Sequence, residues 1–340
     1  MNFNDVITIN ENKLTKKYVE SLSKEERIEL IEPIFQYFRN IGFMYPDDIK
    51  KVDSEWKRLV DFKCNVEEDV LFNNSSVGTF ICKYFCKSFF GSTEPKKKNI
   101  IELFQDDNVL KSVIQNRLGI DWYKKKHEND IEAFQISFRQ IVQGFRSARK
   151  IPMISMFKPT IAKFLYERYS KKNDIVYDYS MGFGGRLLGA MSCNRQYVGV
   201  DPLTSFELEA MAKHFNFKNY KLINGVSENT FLGENTIDFA MSSPPYFNQE
   251  VYSSDDSQAY NKGEDYFYNI YWKNTLDNVY RMLKPNKYFA LNVINFPKMF
   301  EMANDKFVYK ETIHLKTIRS HLNKTAGTSK LEPVYIFTKQ

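Results

Sequence analysis

Residues 174–190, DIVYDYSMGFGGRLLGA, decide the fold. The run from Ile175 to Asp178 is short, apolar and rich in β-branched and aromatic side chains, which reads as a buried strand. The chain then passes through Gly182, Gly184 and Gly185 and enters a helix near Arg186. Glycines at such a turn let the backbone bend sharply and let a ligand approach closely. Roughly twenty residues further on, YVGVDP closes the next strand on Asp201, where a carboxylate can accept hydrogen bonds from both hydroxyls of a ribose. Strand, glycine turn, helix, strand and acid in that order point to a nucleoside-binding α/β unit. No Gly-Lys-Ser/Thr follows the glycines, which disfavours ATP hydrolysis and leaves a dinucleotide open.

Working outward, short β-rich runs alternate with helix-length segments from about residue 150 to the end. They are DIVYDYS, QYVGVDP, NYKLING, TIDFAMSSPPY, KYFALNVINF, FVYKETIHLKTI and EPVYIFTK. Such alternation predicts a largely parallel sheet with crossover helices. The last two runs are joined by RSHLNKTAGTSKL, too short and polar for a full helix, so the sheet should finish in an antiparallel pairing. Residues 1–146 are expected to form a mainly helical domain, with Ser23 and Glu26 as a capping box, and residues 147–340 a catalytic domain.

The second signal is TIDFAMSSPPYFNQEVY, in which a strand ends on Ser242 and Ser243, followed by Pro244, Pro245 and Tyr246. Two successive prolines lack amide donors and fix their φ angles, so they hold carbonyl oxygens and an aromatic ring rigidly at the sheet's carboxyl edge. Ser-Pro-Pro-Tyr after an Asp-x-x-x-Gly-x-Gly turn resembles the S-adenosylmethionine-dependent amino-methyltransferases of DNA, over roughly residues 151–340. The resemblance implies a Rossmann-like methyltransferase fold, a mostly parallel seven-stranded sheet with an antiparallel terminal strand, beside the N-terminal helical domain. It implies S-adenosyl-L-methionine as cofactor and a flipped base of duplex DNA as substrate. The serine form of the motif is more typical of N4-cytosine than of N6-adenine enzymes.

By the same resemblance, Phe157 and Lys158 in MFKPTIAKFLYERY lie at the methionine end of the cofactor. Asp178, Gly182, Gly184 and Asp201 hold the rest of it. Ser227 or Glu228 in LINGVSEN replaces the aspartate often found beside the adenine. Tyr179 stands where the family usually has proline, and residues 183–185 replace the common Ser-Gly-Thr. Ser243 Oγ and the Pro244 carbonyl would accept the amine protons, Tyr246 would stack on the base, and Glu250, Asp255 or Asp256 would take up the released proton. The alternatives are N6-adenine methylation of DNA or RNA, and a catalytically silent protein of this fold that binds nucleic acid or a protein partner. A nicotinamide oxidoreductase leaves the Ser-Pro-Pro-Tyr segment unexplained.

Composition bounds the rest. The 340 residues carry 48 Lys and Arg against 42 Asp and Glu, a modest net +6 that favours a polyanionic partner only weakly. Lysines 96–98 and 124–126, with Arg146, Arg149 and Lys150, are the candidates for phosphate contacts. The four cysteines form no CxxC pair and the four histidines are scattered, which argues against a zinc site or a disulfide framework. Cys82 and Cys86 are spaced to share one helical face in the core. No uninterrupted apolar run reaches the roughly 18 residues of a membrane span, and the expected setting is reducing and cytoplasmic.

Overall fold

The structure, a computed structural model, describes residues 2–64, 71–73, 75–120, 132–149, 154–245, 247, 250–253, 257–316 and 331–340. The chain divides into two compact units, Met1–Ile49 with Phe90–Ile154, and Lys50–Phe89 with Ser155–Gln340.

The first unit is helical around an aromatic core. It opens with a small hairpin of β1 (Thr8–Ile9) and β2 (Asn12–Lys13). The helix Lys24–Glu29 begins with the expected capping box: Ser23 N donates to Glu26 Oε2 at 2.7 Å and Glu26 N to Ser23 Oγ at 3.2 Å. Phe38 and Phe104 pack on Phe138 from the helix Phe138–Arg149, with ring centroids 5.4–6.0 Å apart. Of the lysines expected to meet phosphate, Lys97 is paired with Glu94, and Lys98 with Asp106 at 2.9 Å. Lysines 124–126 and Lys150 lie outside the described residues, as do the side chains of Arg146 and Arg149.

The second unit carries the sheet. After β3 (Leu71–Asn73) come β4 (Ile175–Asp178), β5 (Gln196–Asp201), β6 (Tyr220–Asn224), β7 (Ile237–Ser242), β8 (Leu283–Asn292), β9 (Val308–Lys316) and β10 (Leu331–Thr338). Their order is β3-β9-β10-β8-β7-β4-β5-β6. Strands β8, β7, β4, β5 and β6 run parallel, and β10 lies antiparallel between β8 and β9. All seven runs read as strands are strands, and the closing antiparallel pairing is present. This is the Rossmann-like methyltransferase fold, with β4 and β7 fully buried at its centre apart from the first residue of β4.

The division differs from the expected one in two ways. The break near residue 150 falls after Ile154, and Lys50–Phe89 belongs with the sheet. Lys163, buried in the helix Pro159–Tyr169, explains the second difference. Its ammonium donates to the carbonyls of Leu59 and Val60 at 3.0 and 2.7 Å, at the C-terminal end of the helix Ile49–Val60. Trp56 stacks on Phe215 at 4.5 Å, and Ser88 donates to Glu207 through its amide at 3.0 Å. The same segment supplies β3, an eighth strand parallel to β9 that the alternation of runs did not foretell. Cys82 and Cys86 are buried free thiols, as expected of core residues, and burial pushes the Cys82 thiol up to about 12.

The glycine turn and the helix Pro159–Tyr169 are tightly apposed. A Cβ on Gly185 would lie 1.8 Å from the Phe157 carbonyl oxygen. We expect Gly185→Ala to destabilise the protein by about 1–3 kcal/mol or more, since backbone cannot yield as a side chain does. A urea midpoint equal to that of the parent would show that the turn is not packed this way.

Candidate functional site

A cavity of about 360 Å³ opens along the carboxyl edge of the sheet, a size within the ~300–1,000 Å³ range of small-molecule sites. Ligands of open α/β sheets bind at this edge. Ser180 to Gly182 after β4, Asp201 to Thr204 after β5, and Gly225 to Glu228 after β6 line one half. Ser243 and Pro245 after β7, Asn292 on β8, Leu315 on β9 and Glu332 on β10 line the other. Phe157 and Lys158, ahead of the helix Pro159–Tyr169, complete the wall.

The turn after β4 is built by hydrogen bonds. Met181 N donates to Val200 O at 3.0 Å, and Thr204 Oγ1 donates to the Gly182 carbonyl at 2.7 Å. Gly182 has φ +49°, and a Cβ there would meet nothing nearer than 3.9 Å. Backbone conformation, not crowding, is what calls for glycine at that position. Gly184 has φ +81°, but a Cβ on it would lie 2.5 Å from Leu208 Cδ2, so it serves packing and does not line the cavity. The ring of Phe157 sits under the Arg186 guanidinium at 5.2 Å.

Asp178 is not at the cavity wall. It is fully buried and its four acceptor positions are taken. Oδ1 accepts from Ser242 Oγ at 2.9 Å and Ser180 N at 3.3 Å, and Oδ2 from Arg186 Nε and Tyr197 Oη at 2.7 Å each. Its role is to tie the glycine turn to the end of β7, leaving nothing for a cofactor. Burial alone would lower the Arg186 pKa, yet the Asp178 charge lifts it above the usual range. Tyr179, at the family's proline position, turns into the core, and no described residue partners its hydroxyl.

Asp201 does line the cavity, but its carboxylate is largely committed to the protein. Oδ1 accepts from Leu203 N at 2.8 Å and Thr204 N at 3.1 Å, and Oδ2 from Gly182 N at 3.1 Å. The Thr204 side chain also reaches this carboxylate, so it offers a ribose less than the two free acceptors expected. Burial raises its pKa against the pull of the three amides and the Thr204 side chain. Glu228 has an oxygen to spare: Oε1 accepts from Tyr266 Oη at 2.9 Å, and no described residue donates to Oε2. Ser227 Oγ pairs with Thr275 Oγ1 at 2.8 Å. Both side chains are buried and reach the cavity.

At the other half, Ser243 and Pro245 line the cavity while Pro244 is buried away from it. Tyr246, Asp255 and Asp256 lie outside the described residues. Glu250 and Tyr252 reach the wall, and the Tyr252 ring lies 5.8 Å from Phe183. Residues missed in the sequence are Arg186, Tyr271, Asn292 and Glu332. Tyr271 sits in a π-helical turn, Phe267–Trp272, with its hydroxyl 3.4 Å from Ser180 Oγ. Such turns are rare and cluster at functional sites. The aromatic density of FYNIYW was the available signal, hidden in a chain that is 16% aromatic throughout. Among the described residues no cluster of side chains is suited to a metal ion, and no helix is long and apolar enough to cross a membrane.

No family model and no curated protein matches the chain. Solved structures similar to it include 1,6-didemethyltoxoflavin-N1-methyltransferase of Burkholderia thailandensis, at 13% identity over 54% of this chain and 78% of that one, TM-score 0.40. TrmN of Thermus thermophilus is 12% identical over 64% of this chain and 70% of that one, TM-score 0.41. The tRNA (m1A58) methyltransferase TrmI of Aquifex aeolicus is 10% identical over 55% and 71%, TM-score 0.39. Likenesses this remote transfer no substrate, and the reading of the site rests on its own geometry.

Two substitutions separate the roles of the aspartates. Asp178→Ala strands a buried guanidinium, and we expect a stability loss of about 3–5 kcal/mol in chemical denaturation. Asp201→Ala frees three turn amides, costing about 1–3 kcal/mol per amide left without a partner, and also weakens binding of an adenosine ligand. Unchanged denaturation midpoints in both variants would contradict the hydrogen-bond pattern.

Proposed function

We propose that this chain is an S-adenosylmethionine-dependent methyltransferase acting on an exocyclic amine of a nucleic-acid base, with N4 of cytosine in duplex DNA the preferred target. The observation that carries this reading is the position of Ser243 and Pro245. They leave the end of β7 on the wall of the same cavity that the turns after β4, β5 and β6 line. The residues present fit such a cofactor: the carboxylates of Asp201 and Glu228 both line the cavity, Glu228 Oε2 has no donor among the described residues, and Gly182 leaves space at the turn. When bound, the cofactor supplies a methyl group on a sulfonium that is itself a good leaving group.

The chain's own contribution is alignment and acceptance of charge. An exocyclic amine is a weak nucleophile because its lone pair is delocalised into the ring. Acceptors at its protons favour the pyramidal nitrogen of the transition state, and Ser243 Oγ, on a residue of the cavity wall, is the one we assign. As the nitrogen gains the methyl group it must lose a proton, for which the carboxylate of Glu250 on the cavity wall is the candidate acceptor. Extruding the base costs a few kcal/mol, offset in part by stacking on Tyr246.

Nucleoside mass spectrometry of amplified, unmodified DNA and RNA, incubated with the protein and isotope-labelled cofactor, identifies the base and the atom together. Labelled N4-methylcytosine is the expected product. Label on adenine N6 would move the substrate to the alternative, and no label in either polymer would reject the activity. Ser243→Ala should lower turnover by about 10²–10³-fold. Tyr246→Ala should cost about 1–3 kcal/mol of base capture, read as a raised KM.

A further inference from the structure

The register of the sheet places a side chain beside Ser243 that the motif does not contain. Ser242 on β7 pairs with Leu291 on β8, so Ser243 and Asn292 occupy equivalent positions one residue further along two adjacent parallel strands. Both line the cavity. Asn292 is 2% exposed, and a buried primary amide must satisfy its groups locally.

The orientation of that amide is fixed by its neighbours. Nδ2 donates to Glu332 Oε1 at 3.1 Å and to the Pro333 carbonyl at 3.0 Å. Both partners are acceptors, so only the nitrogen can face them. The amide oxygen is turned away from β10, and no described residue donates to it. Glu332 and Leu315 pair across β10 and β9 at the same carboxyl edge, and Lys158 on the cavity wall lies within the electrostatic reach of Glu332. A β10 carboxylate and carbonyl therefore act as a bracket that presents one oxygen.

We propose that Asn292 Oδ1 is a second acceptor for the target amine, flanking it with Ser243, so that the site selects a substrate carrying a primary amine with two N–H donors. This rests on the reading of the cavity as an amino-methyltransferase site and deepens it. The Pro244 carbonyl was the expected partner of Ser243, but Pro244 is buried and does not line the cavity, whereas Asn292 does. One acceptor on each of two neighbouring strand ends matches the two protons of an –NH₂ group. Bases that present a carbonyl in place of the amine, as uracil and thymine do, would set an oxygen against two oxygens. Glu332 is a positioning residue in this arrangement, and Asn292 touches substrate.

The test compares wild type, Asn292→Leu, and the double variant Asn292→Asp with Glu332→Gln in single-turnover transfer of labelled methyl from S-adenosylmethionine to amplified, unmodified DNA and RNA. Leucine keeps the volume and removes the acceptor. The double variant restores an acceptor toward the amine, and the amide introduced on β10 can donate to the carboxylate introduced on β8, which offsets the donor that the Pro333 carbonyl loses. We expect Asn292→Leu to lose about 100-fold in rate with cofactor affinity by calorimetry unchanged, and the double variant to regain at least about tenfold of that. A purely structural asparagine predicts otherwise: the double variant would regain none of the rate lost in Asn292→Leu, which would overturn the proposal. Wild-type rate in Asn292→Leu would overturn it too. A wild-type protein that binds no cofactor would instead fail the underlying methyltransferase reading, an outcome seen before any variant is compared.

Discussion

The buried carboxylate of Asp178 is the constraint on which the rest of the site depends. At the end of the central strand β4 it receives four hydrogen bonds from four places: the glycine turn at Ser180, the following helix at Arg186, the next strand at Tyr197, and the end of β7 at Ser242. A charge taken out of water is costly unless it is paired and fully hydrogen-bonded, and here both conditions are met. The return is geometric. Ser242 directly precedes Ser243, so the residue that holds the glycine turn in shape also sets where Ser243 enters the cavity wall.

From that anchor the sheet edge divides its work. The turns after β4, β5 and β6 offer backbone and carboxylate groups already engaged with one another, with Asp201 holding three amides and Glu228 braced by Tyr266. Such groups are fixed before a ligand arrives, which reduces the ordering cost of binding. The ends of β7, β8 and β10 offer Ser243, Asn292 and Glu332 in a second polar cluster. The antiparallel β10 matters here: its N-terminal end, not its C-terminal end, meets the carboxyl edge, which is how a glutamate two positions into that strand's pairing comes to face Asn292.

Much of this was legible in the sequence, for identifiable reasons. Seven short β-rich runs separated by helix-length segments carry the sheet, because strands buried on both faces are apolar throughout. Ser-Pro-Pro at a strand end carries the candidate site because two prolines leave few other conformations. Asp178 was misread because an acid at the end of the first strand looks the same in sequence whether it faces a ligand or a buried arginine. Lys163, the reason that residues 50–89 join the sheet, reads as an ordinary amphipathic lysine until the helix end it caps is known. Asn292, in LNVINF, carries no motif at all, and only strand register brings it to Ser243.

The central claim is that one cavity holds an adenosine cofactor at the glycine turn and an amine substrate at the end of β7. Isothermal titration of S-adenosylmethionine into the full chain tests it most directly. The account predicts one molecule bound per chain with micromolar affinity, competed by S-adenosylhomocysteine. Absence of heat and of competition at millimolar ligand would contradict it.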